Sequence, residues 1–325
     1  MDINNSKVLV IGGAGFIGSF VVSELLKTNV GKVVIYDNFA RGKASNISNS
    51  MADPRCEIYP NGGDVRDVDT LSDAMQGCDG VIHLAAMWLL HCKDFPRTAF
   101  HVNIEGTFNV LEACVKNKIK RFVYSSSASV YGDASEVPMT ESHPFNNKNF
   151  YGATKIAGEA MCRAYYDRYG LSYVGLRYMN VYGPHQDQTA AYTGVIPIML
   201  NKIDANEAPT INGDGTQAYD LIDVEDIARC NINALDSEVT DEFYNVGTGI
   251  QTTIKELCDT ILELKKSKLK VTFNPYNEDD ARRLVQNRIG CPKKASSDLG
   301  FDYKYNLQIG LQRLIDWRNS QPVDQ

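Results

Sequence analysis

A glycine-rich turn between an apolar run and a helical pattern constrains the fold of this chain most. Val8–Ile11 is an uninterrupted apolar run, which is typical of a strand buried on both faces of a parallel sheet. Apolar residues then recur at helical spacing over 20–26, and between the two patterns stand Gly12, Gly13, Gly15 and Gly18. Glycines let the backbone approach a pyrophosphate, and the free N–H groups of the following helix point at that anion. The segment therefore predicts a strand, a phosphate-binding turn and a helix.

An acidic residue at the end of the next apolar run completes this signal. Asp37 follows Val33–Tyr36 and lies 19 residues beyond Gly18. A carboxylate in this place accepts hydrogen bonds from adenosine ribose hydroxyls and repels a 2′-phosphate, which indicates NAD rather than NADP. Arg41 is a counter-argument, because an arginine can hold that phosphate. A tight turn without any ligand is the alternative, but the complete strand–turn–helix unit favours a dinucleotide site.

Composition and charge exclude several classes of protein. The 325 residues are 43% hydrophobic and 22% charged, which is ordinary for a globular protein. A net charge of −7 argues against a nucleic-acid-binding protein, and no apolar run is long enough to span a membrane. The N-terminus carries no secretory pattern, and the eight cysteines contain no C-x-x-C pair. We expect reduced thiols, no metal site and a cytoplasmic protein.

Strand-like and helical patterns alternate through the first half of the chain. This alternation predicts a doubly wound parallel sheet with helices on both faces, the Rossmann-type α/β fold class. Strand-like pieces recur at Asp220–Val224 and Glu242–Val246, and each could return to that sheet. We expect an NAD-binding domain over 1–180, with returning segments at about 220–246, and a smaller C-terminal α/β domain over 181–325 that mostly binds substrate. The site should lie in the crevice between them.

A serine run and a tyrosine–lysine pair form the candidate chemical site. Ser125–Ser127 ends a predicted strand, so the serines lie where open α/β sheets bind ligands. Tyr151 and Lys155 are four residues apart in a helical pattern over 151–169 and share one face. An adjacent ammonium and an oxidised nicotinamide both favour a phenolate, which would make Tyr151 a general base. A chance surface pair is the alternative, but its combination with the dinucleotide turn favours catalysis.

These motifs occur together in one known family. The chain resembles the extended short-chain dehydrogenases/reductases, among them the NAD-dependent nucleotide-sugar epimerases and dehydratases, and it is most similar to the UDP-glucose (galactose) 4-epimerase group. The resemblance extends over nearly the whole chain. It rests on motifs in a characteristic order, namely Gly12–Gly18, Asp37, Asp64–Val65, His83–Ala86, Ser125–Gly132, Tyr151–Lys155 and Asn180–Pro184.

The resemblance implies a role for each matched residue. Three would be catalytic: Ser127 would hydrogen-bond the sugar O4, Tyr151 would take its proton, and Lys155 would hold the nicotinamide ribose. The cofactor would contact a larger set, namely Gly12, Gly15, Phe16, Ile17, Gly18, Asp37, Asn38, Asp64, Val65, Leu84, Ala85, Ala86, Asn103, Ser125, Tyr151 and Lys155. The nucleotide sugar would contact Ser127, Tyr151, Asn180, Val195 and Arg282.

The activity implied by the resemblance is 4-epimerisation of a UDP-linked hexose, N-acetylhexosamine or uronic acid through a transient 4-keto sugar. Tightly bound NAD would be the cofactor, no metal would be needed, and the protein would be a homodimer. Ala128–Ser129 stands where 4,6-dehydratases of the family usually carry Asp-Glu, which disfavours dehydration. Decarboxylation of a uronic acid and a non-catalytic NAD-binding subunit stay open as alternatives.

The chain departs from its family in two places. Tyr219 stands where the family normally has an arginine that grips the nucleotide diphosphate, and Arg282 or Arg283 is expected to replace it, with solvated surface arginines as the alternative. Met87–Leu90 is more apolar than in relatives, and it either faces an unusual hexose or packs under a loop. Val195–Pro197 resembles the strands and turns that frame the uracil ring.

Overall fold

Seven parallel strands form the main sheet of the computed structural model, which describes residues 1–187, 194–276 and 285–321. From one edge to the other they are β3 (Cys56–Ile58), β2 (Lys32–Tyr36), β1 (Lys7–Ile11), β4 (Gly80–His83), β5 (Arg121–Ser127), β6 (Tyr173–Tyr178) and β11 (Glu242–Val246). The strand order reverses direction between β1 and β4. Ligands of such sheets bind beyond the carboxyl ends of the strands at this switch point. The predicted Rossmann-type sheet is confirmed.

Helices cover both faces of this sheet, as the alternating pattern predicts. They are α1 (Phe16–Leu26), α2 (Ala44–Ile47), α3 (Val68–Ala74), α4 (Leu89–Asp94), α5 (Pro96–Ala99), α6 (Gly106–Lys116), α7 (Phe150–Tyr169), α8 (Val195–Asp204), α9 (Val224–Asp236), α10 (Ile254–Leu264), α11 (Lys293–Leu299) and α12 (Leu307–Ser320). A π-helical segment, Phe100–Glu105, leads into α6, and short 3₁₀ turns span Ser50–Ala52 and Ala128–Val130. On one face α1 packs against α9, and on the other α3, α6 and α7 share a core with the strands.

The remaining strands form small sheets outside the main one. They are β7 (Asn180–Tyr182), β8 (Thr210–Asn212), β9 (Ala218–Tyr219), β10 (Leu221–Asp223), β12 (Thr252–Thr253), β13 (Thr272–Asn274) and β14 (Asn287–Arg288). The pairs are β10 with β7 and β13 with β8, while β9 lies between β12 and β14. A separate hydrophobic cluster joins α8, α10 and α12 beside these sheets. The division of the chain into two domains at residue 180 stays a prediction.

Two local expectations are corrected by the structure. The piece around Leu221 does not return to the main sheet, because β10 pairs with β7 in a separate two-stranded sheet. At the end of β10, Asp223 accepts a hydrogen bond from Glu225 N–H and caps α9. Val195–Pro197 is the first turn of α8 rather than a strand. Proline is tolerated in a first helical turn, and Ile196, with Met199 and Leu200, forms its buried stripe. The other returning segment, β11, does join the sheet beside β6.

The described residues do not meet the requirements for a membrane-spanning helix or for a metal site. No helix in the three described ranges is long and apolar enough to cross a membrane. Within the same ranges, no group of three or more His, Cys, Asp or Glu side chains is placed to hold a metal ion. All eight cysteines are free thiols, and all but Cys291 are buried.

Candidate active site

The glycine turn after β1 packs directly onto the backbone that follows β4. Gly12 has a φ of +84°, and a Cβ there would come within 2.8 Å of the Ala85 nitrogen. A Cβ on Gly18 would lie 2.0 Å from the Gly12 carbonyl oxygen, so α1 rests on the turn itself. No side chain caps the start of α1 at Gly15, which leaves its first N–H groups free for an anion. This backbone cradle fits the pyrophosphate of a dinucleotide.

The acidic residue after β2 faces a cavity that suits an adenosine. Asp37 accepts a hydrogen bond from Ala14 N–H at 2.9 Å and another from Phe39 N–H at 2.8 Å. Burial raises the pKa of this carboxyl, and the backbone N–H groups of Phe39, Ala14 and Gly15 oppose the rise. A cavity of about 500 Å³ lies beside it and reaches Asp64, whose carboxylate is paired with Arg66. The carboxylate predicted to bind the ribose therefore borders a cavity large enough for a nucleoside.

Arg41, the counter-argument to NAD, is engaged away from Asp37. Its guanidinium lies 4.9 Å from the centre of the Trp88 ring, and its Nη2 is 3.7 Å from the Asp187 carboxylate. These two contacts engage the guanidinium with groups other than a 2′-phosphate, which favours NAD. Trp88 belongs to the apolar segment Met87–Leu90. It therefore packs against Arg41 in the loop after β2.

Asn103 ties the loop after β4 to the helix that carries the chemical groups. Its Oδ1 accepts a hydrogen bond from Met87 N–H at 2.7 Å, and its Nδ2 donates to Met87 O at 2.9 Å. The same amide donates to Thr154 Oγ1 at 3.1 Å, and Thr154 lies between Tyr151 and Lys155 on α7. Asn103 is only 2% exposed, and its amide holds protein groups together. Its predicted contact with the cofactor stays a prediction.

Apart from Tyr151 and Lys155 on α7, the other residues predicted to contact the cofactor lie at or after the carboxyl ends of neighbouring strands. The structure brings them to one edge of the sheet, with Gly12, Gly15, Phe16, Ile17 and Gly18 after β1, Asn38 after β2, Asp64 and Val65 after β3, Leu84, Ala85 and Ala86 after β4, and Ser125 in β5. Leu84 and Ala85 donate their N–H groups to Ile11 O at 2.8 and 3.1 Å, which fixes this edge beside the turn.

The three predicted catalytic residues converge at the end of β5. Tyr151 lies in the first turn of α7, which Asn149 caps by accepting a hydrogen bond from Gly152 N–H. Lys155 Nζ lies 5.7 Å from the centre of the Tyr151 ring and donates a hydrogen bond to Ser125 O at 2.7 Å. Ser127 is the last residue of β5, and its hydroxyl acts to lower the pKa of the Tyr151 phenol. The spacing therefore places a hydroxyl, a phenol and an ammonium together.

The acidity of the phenol differs from the expectation. Burial raises the pKa of Tyr151 to about 12, although the Ser127 hydrogen bond and the charge of Arg288 partly oppose the rise. Burial also lowers the pKa of Lys155 to about 8. The lysine alone does not lower the phenol pKa, because desolvation outweighs the neighbouring charges. Burial therefore favours the neutral phenol at neutral pH, and the charge of a bound oxidised nicotinamide would act in the opposite direction.

The predicted substrate residues are spread over the small sheets and α8. Asn180 lies in β7, and its Nδ2 donates a hydrogen bond to Asp220 O at 3.2 Å. Val195 is the first residue of α8 and is 37% exposed. Arg282 and Arg283, the expected replacements for the missing arginine, lie outside the described residues.

One positively charged residue near the phenol escaped the sequence analysis. Arg288 in β14 is paired with Tyr219 in β9, and its charge acts on Tyr151. Tyr219 donates its hydroxyl to Val285 O at 2.9 Å. No motif marks Arg288. The only signal in the sequence is the absence of arginine at 219. That Arg288 lies next to position 219 follows only from the pairing of β14 with β9.

A glycine cradle, a carboxylate beside a nucleoside-sized cavity and a serine–tyrosine–lysine group at one sheet edge are the arrangement expected of a dinucleotide-dependent enzyme. Comparison with known proteins identifies the family of dinucleotide-dependent enzymes to which the chain belongs. The model of the "NAD dependent epimerase/dehydratase family" matches residues 8–247. The chain belongs to this family, and NAD is its cofactor.

Relatives and solved structures cover nearly the full length of the chain. The UDP-glucose 4-epimerase of Lacticaseibacillus casei is 30% identical over 97% of this chain and 97% of its own length. The UDP-N-acetylglucosamine 4-epimerase of Methanobrevibacter ruminantium, in complex with UDP-N-acetylmuramic acid, is 32% identical with a TM-score of 0.91 over 98% of this chain and 100% of that one. For the UDP-glucose 4-epimerase of Thermus thermophilus in complex with NAD, the identity is 30% and the TM-score 0.85, over 97% of this chain and 100% of that one.

Proposed function

We propose that this protein is an NAD-dependent nucleotide-sugar 4-epimerase that interconverts the C4 epimers of a UDP-linked sugar. One observation carries the proposal: Ser127, Tyr151 and Lys155 converge beside the glycine cradle. Relatives named as acting on UDP-glucose and UDP-N-acetylglucosamine support UDP as the nucleotide. The sugar is a hexose, an N-acetylhexosamine or a uronic acid.

The residues present fit NAD at each part of the molecule. The free N–H groups at the start of α1 would hold the pyrophosphate, Asp37 the adenosine ribose, and Lys155 the nicotinamide ribose. NAD, when bound, supplies a reversible acceptor for the C4 hydride, so that the sugar passes through a 4-keto form. The side chains of the protein must therefore orient the sugar and move the O4 proton.

Tyr151 transfers the O4 proton, and Ser127 donates a hydrogen bond to the phenol or to O4. Ser127 Oγ accepts a hydrogen bond from Ser129 N–H at 3.1 Å, so its own hydrogen is free to point at the phenol or at O4. The phenol of Tyr151 takes the O4 proton and later returns it. A pKa of about 12 is too high for this role at neutral pH, and each unit of lowering is worth about 1.4 kcal/mol. Bound NAD would supply a positive charge that favours the phenolate.

The residues after the serines favour epimerisation over dehydration. Ala128 and Ser129 form the 3₁₀ turn after β5 and are 1% and 4% exposed. Neither carries an ionisable side chain, so this turn offers no second acid and base for eliminating water. Decarboxylation also begins with oxidation at C4, and the catalytic residues alone do not distinguish it from epimerisation.

A substrate panel tests the proposal. The NAD-bound protein is incubated separately with UDP-glucose, UDP-N-acetylglucosamine and UDP-glucuronate, and the C4 configuration is read by NMR and the mass by mass spectrometry. We expect a C4 epimer of unchanged mass from at least one of them. Loss of water would indicate a dehydratase and loss of carbon dioxide a decarboxylase. A protein that retains NAD and converts none would be a non-catalytic subunit.

A homodimer is part of the proposal. Helices α6 and α7 leave a run of aromatic rings at the surface, in which Phe108 contacts Tyr165 and Tyr165 contacts Tyr169. Phe108 and Tyr169 are 45% and 54% exposed, which is high for large rings that neighbour one another. Burial of this run against a second copy would remove it from water. Sedimentation equilibrium is expected to give twice the mass of 36.1 kDa.

A further inference from the structure

The backbone of Arg288 has a fixed position in β14. In the parallel pairing of β14 with β9, it lies opposite Tyr219, and its carbonyl accepts a hydrogen bond from Asp220 N–H at 2.9 Å. The residue before it is fixed as well, because Asn287 N–H donates to Asp133 Oδ1 at 3.3 Å. These hydrogen bonds therefore fix the backbone position from which the Arg288 side chain extends.

The guanidinium lacks a complete set of partners. Its Nε is buried and has no hydrogen-bond partner among the residues that the structure describes. The groups that act on its charge are Tyr219, Asp133 and the catalytic Tyr151, and burial lowers its pKa. A buried cation with an unsatisfied donor is costly unless an anion or another acceptor completes it.

Two of the three groups that act on the charge of Arg288 are neutral phenols. Tyr219 and Tyr151 are phenols, and burial raises the pKa of each, so both are neutral at neutral pH. Asp133 carries the only carboxylate among the groups that act on it in the described ranges, and its Oδ1 already accepts the N–H groups of Gln286 and Asn287. One carboxylate therefore acts on this cation, and the Arg288 Nε has no acceptor in the described ranges.

We propose that Arg288 forms an oxyanion subsite of the nucleotide-sugar pocket and binds a phosphate or carboxylate oxygen of the substrate beside Tyr151. A planar guanidinium donates two parallel hydrogen bonds to either group, which a neutral hexose hydroxyl does not match. This inference rests on the proposed function. Within that function, Arg288 selects substrates that bring an oxyanion close to the catalytic phenol.

Binding measurements on the NAD-bound protein test the subsite without requiring turnover. The dissociation constants of UDP, UDP-glucose and UDP-glucuronate are measured by calorimetry for the wild type, Arg288→Gln and Arg288→Lys. Arg97→Gln is the matched control, since Arg97 is exposed on α5. We expect Arg288→Gln to weaken the binding of UDP-glucuronate by about 10- to 100-fold, the range for a charged hydrogen-bonded contact. Arg288→Lys should be intermediate, and Arg97→Gln unchanged.

The three ligands identify which oxyanion is bound. An equal loss for UDP, UDP-glucose and UDP-glucuronate would assign Arg288 to a phosphate, and a loss confined to UDP-glucuronate would assign it to the sugar carboxylate. Affinities within twofold of the wild type for all three ligands, with NAD retained, would overturn the subsite while leaving the proposed function standing. A wild type that retains NAD but binds none of the three would refute the proposed function as well.

Discussion

A buried ion pair holds the catalytic helix against the sheet, and its loss is expected to destabilise the protein strongly. Glu159 on α7 accepts hydrogen bonds from Arg177 Nε at 2.9 Å and from Arg177 Nη2 at 2.7 Å. Both side chains are nearly inaccessible, with 2% of Arg177 and 4% of Glu159 exposed. Ser126 Oγ, between two site serines, donates to the same carboxylate at 2.6 Å, and Lys155 lies one turn earlier on α7. The pair therefore fixes the position of the catalytic groups.

The size of the effect follows from burial. Glu159→Gln keeps the shape of the side chain but leaves the Arg177 guanidinium buried without its counter-charge, which costs about 3–5 kcal/mol. An unfolding entropy of about 2.1 cal/mol/K per residue over 325 residues converts this to a drop in Tm of about 4–7 °C. The matched control is Glu57→Gln, because Glu57 pairs with Lys32 at the surface, where both are about half exposed. Such a pair is worth about 0–1 kcal/mol.

Thermal and urea denaturation of both variants, with NAD present at equal concentration, gives the comparison. Glu159→Gln should unfold with a free energy lower by several kcal/mol than the wild type, whereas Glu57→Gln should match it within about 1 kcal/mol. The double change of Glu159→Leu and Arg177→Met should cost less than the sum of the single changes, since no charge is left buried. Equal stability of Glu159→Gln and Glu57→Gln would refute this reasoning.

Three further predictions concern the cofactor cleft. Gly18→Ala would place a methyl group 2.0 Å from Gly12 O, so the purified variant should lose its NAD, and a normal NAD content would contradict the cradle. Asp37→Asn should weaken NAD binding about 10-fold or more by calorimetry, and unchanged affinity would remove Asp37 from the ribose site. Burial lowers the pKa of Lys155 from 10.5 to about 8. Between these pH values the unfolded chain binds more protons than the folded protein, so the free energy of unfolding rises with pH. Relative to Lys155→Met, the rise should reach about 3 kcal/mol. Parallel denaturation curves for the two proteins from about pH 7 to 10 would contradict it.

The local parts of the fold and site could be predicted from sequence. The apolar run at β1 and the glycines after it are read from adjacent residues, and their strand, turn and helix are confirmed. The side of α7 shared by Tyr151 and Lys155 follows from helical spacing, and the structure places the Lys155 ammonium beside both the Tyr151 ring and Ser125 O. In each case, the information lies within a few residues of the feature.

Features that depend on distant pairing could not be predicted in this way. Arg288 meets Tyr219 through two strands of two residues each, which carry no periodicity of their own. The helical start at Val195 was obscured by Pro197, although proline in a first turn is compatible with a helix. The pKa of Tyr151 depends on how much protein surrounds the phenol, and a sequence gives the neighbouring charges but not the burial.

The central claim is that the phenol of Tyr151 moves the O4 proton while NAD stays bound. The most direct test is the rate at which the NAD-bound protein interconverts C4 epimers of its best UDP-sugar, followed by NMR for the wild type, Tyr151→Phe and Tyr166→Phe. Tyr166 lies on the same helix and contacts the Tyr173 ring. Tyr151→Phe should retain NAD and lose turnover by at least about 100-fold, the usual contribution of a general base, while Tyr166→Phe should keep its rate. Full turnover by Tyr151→Phe would contradict the claim.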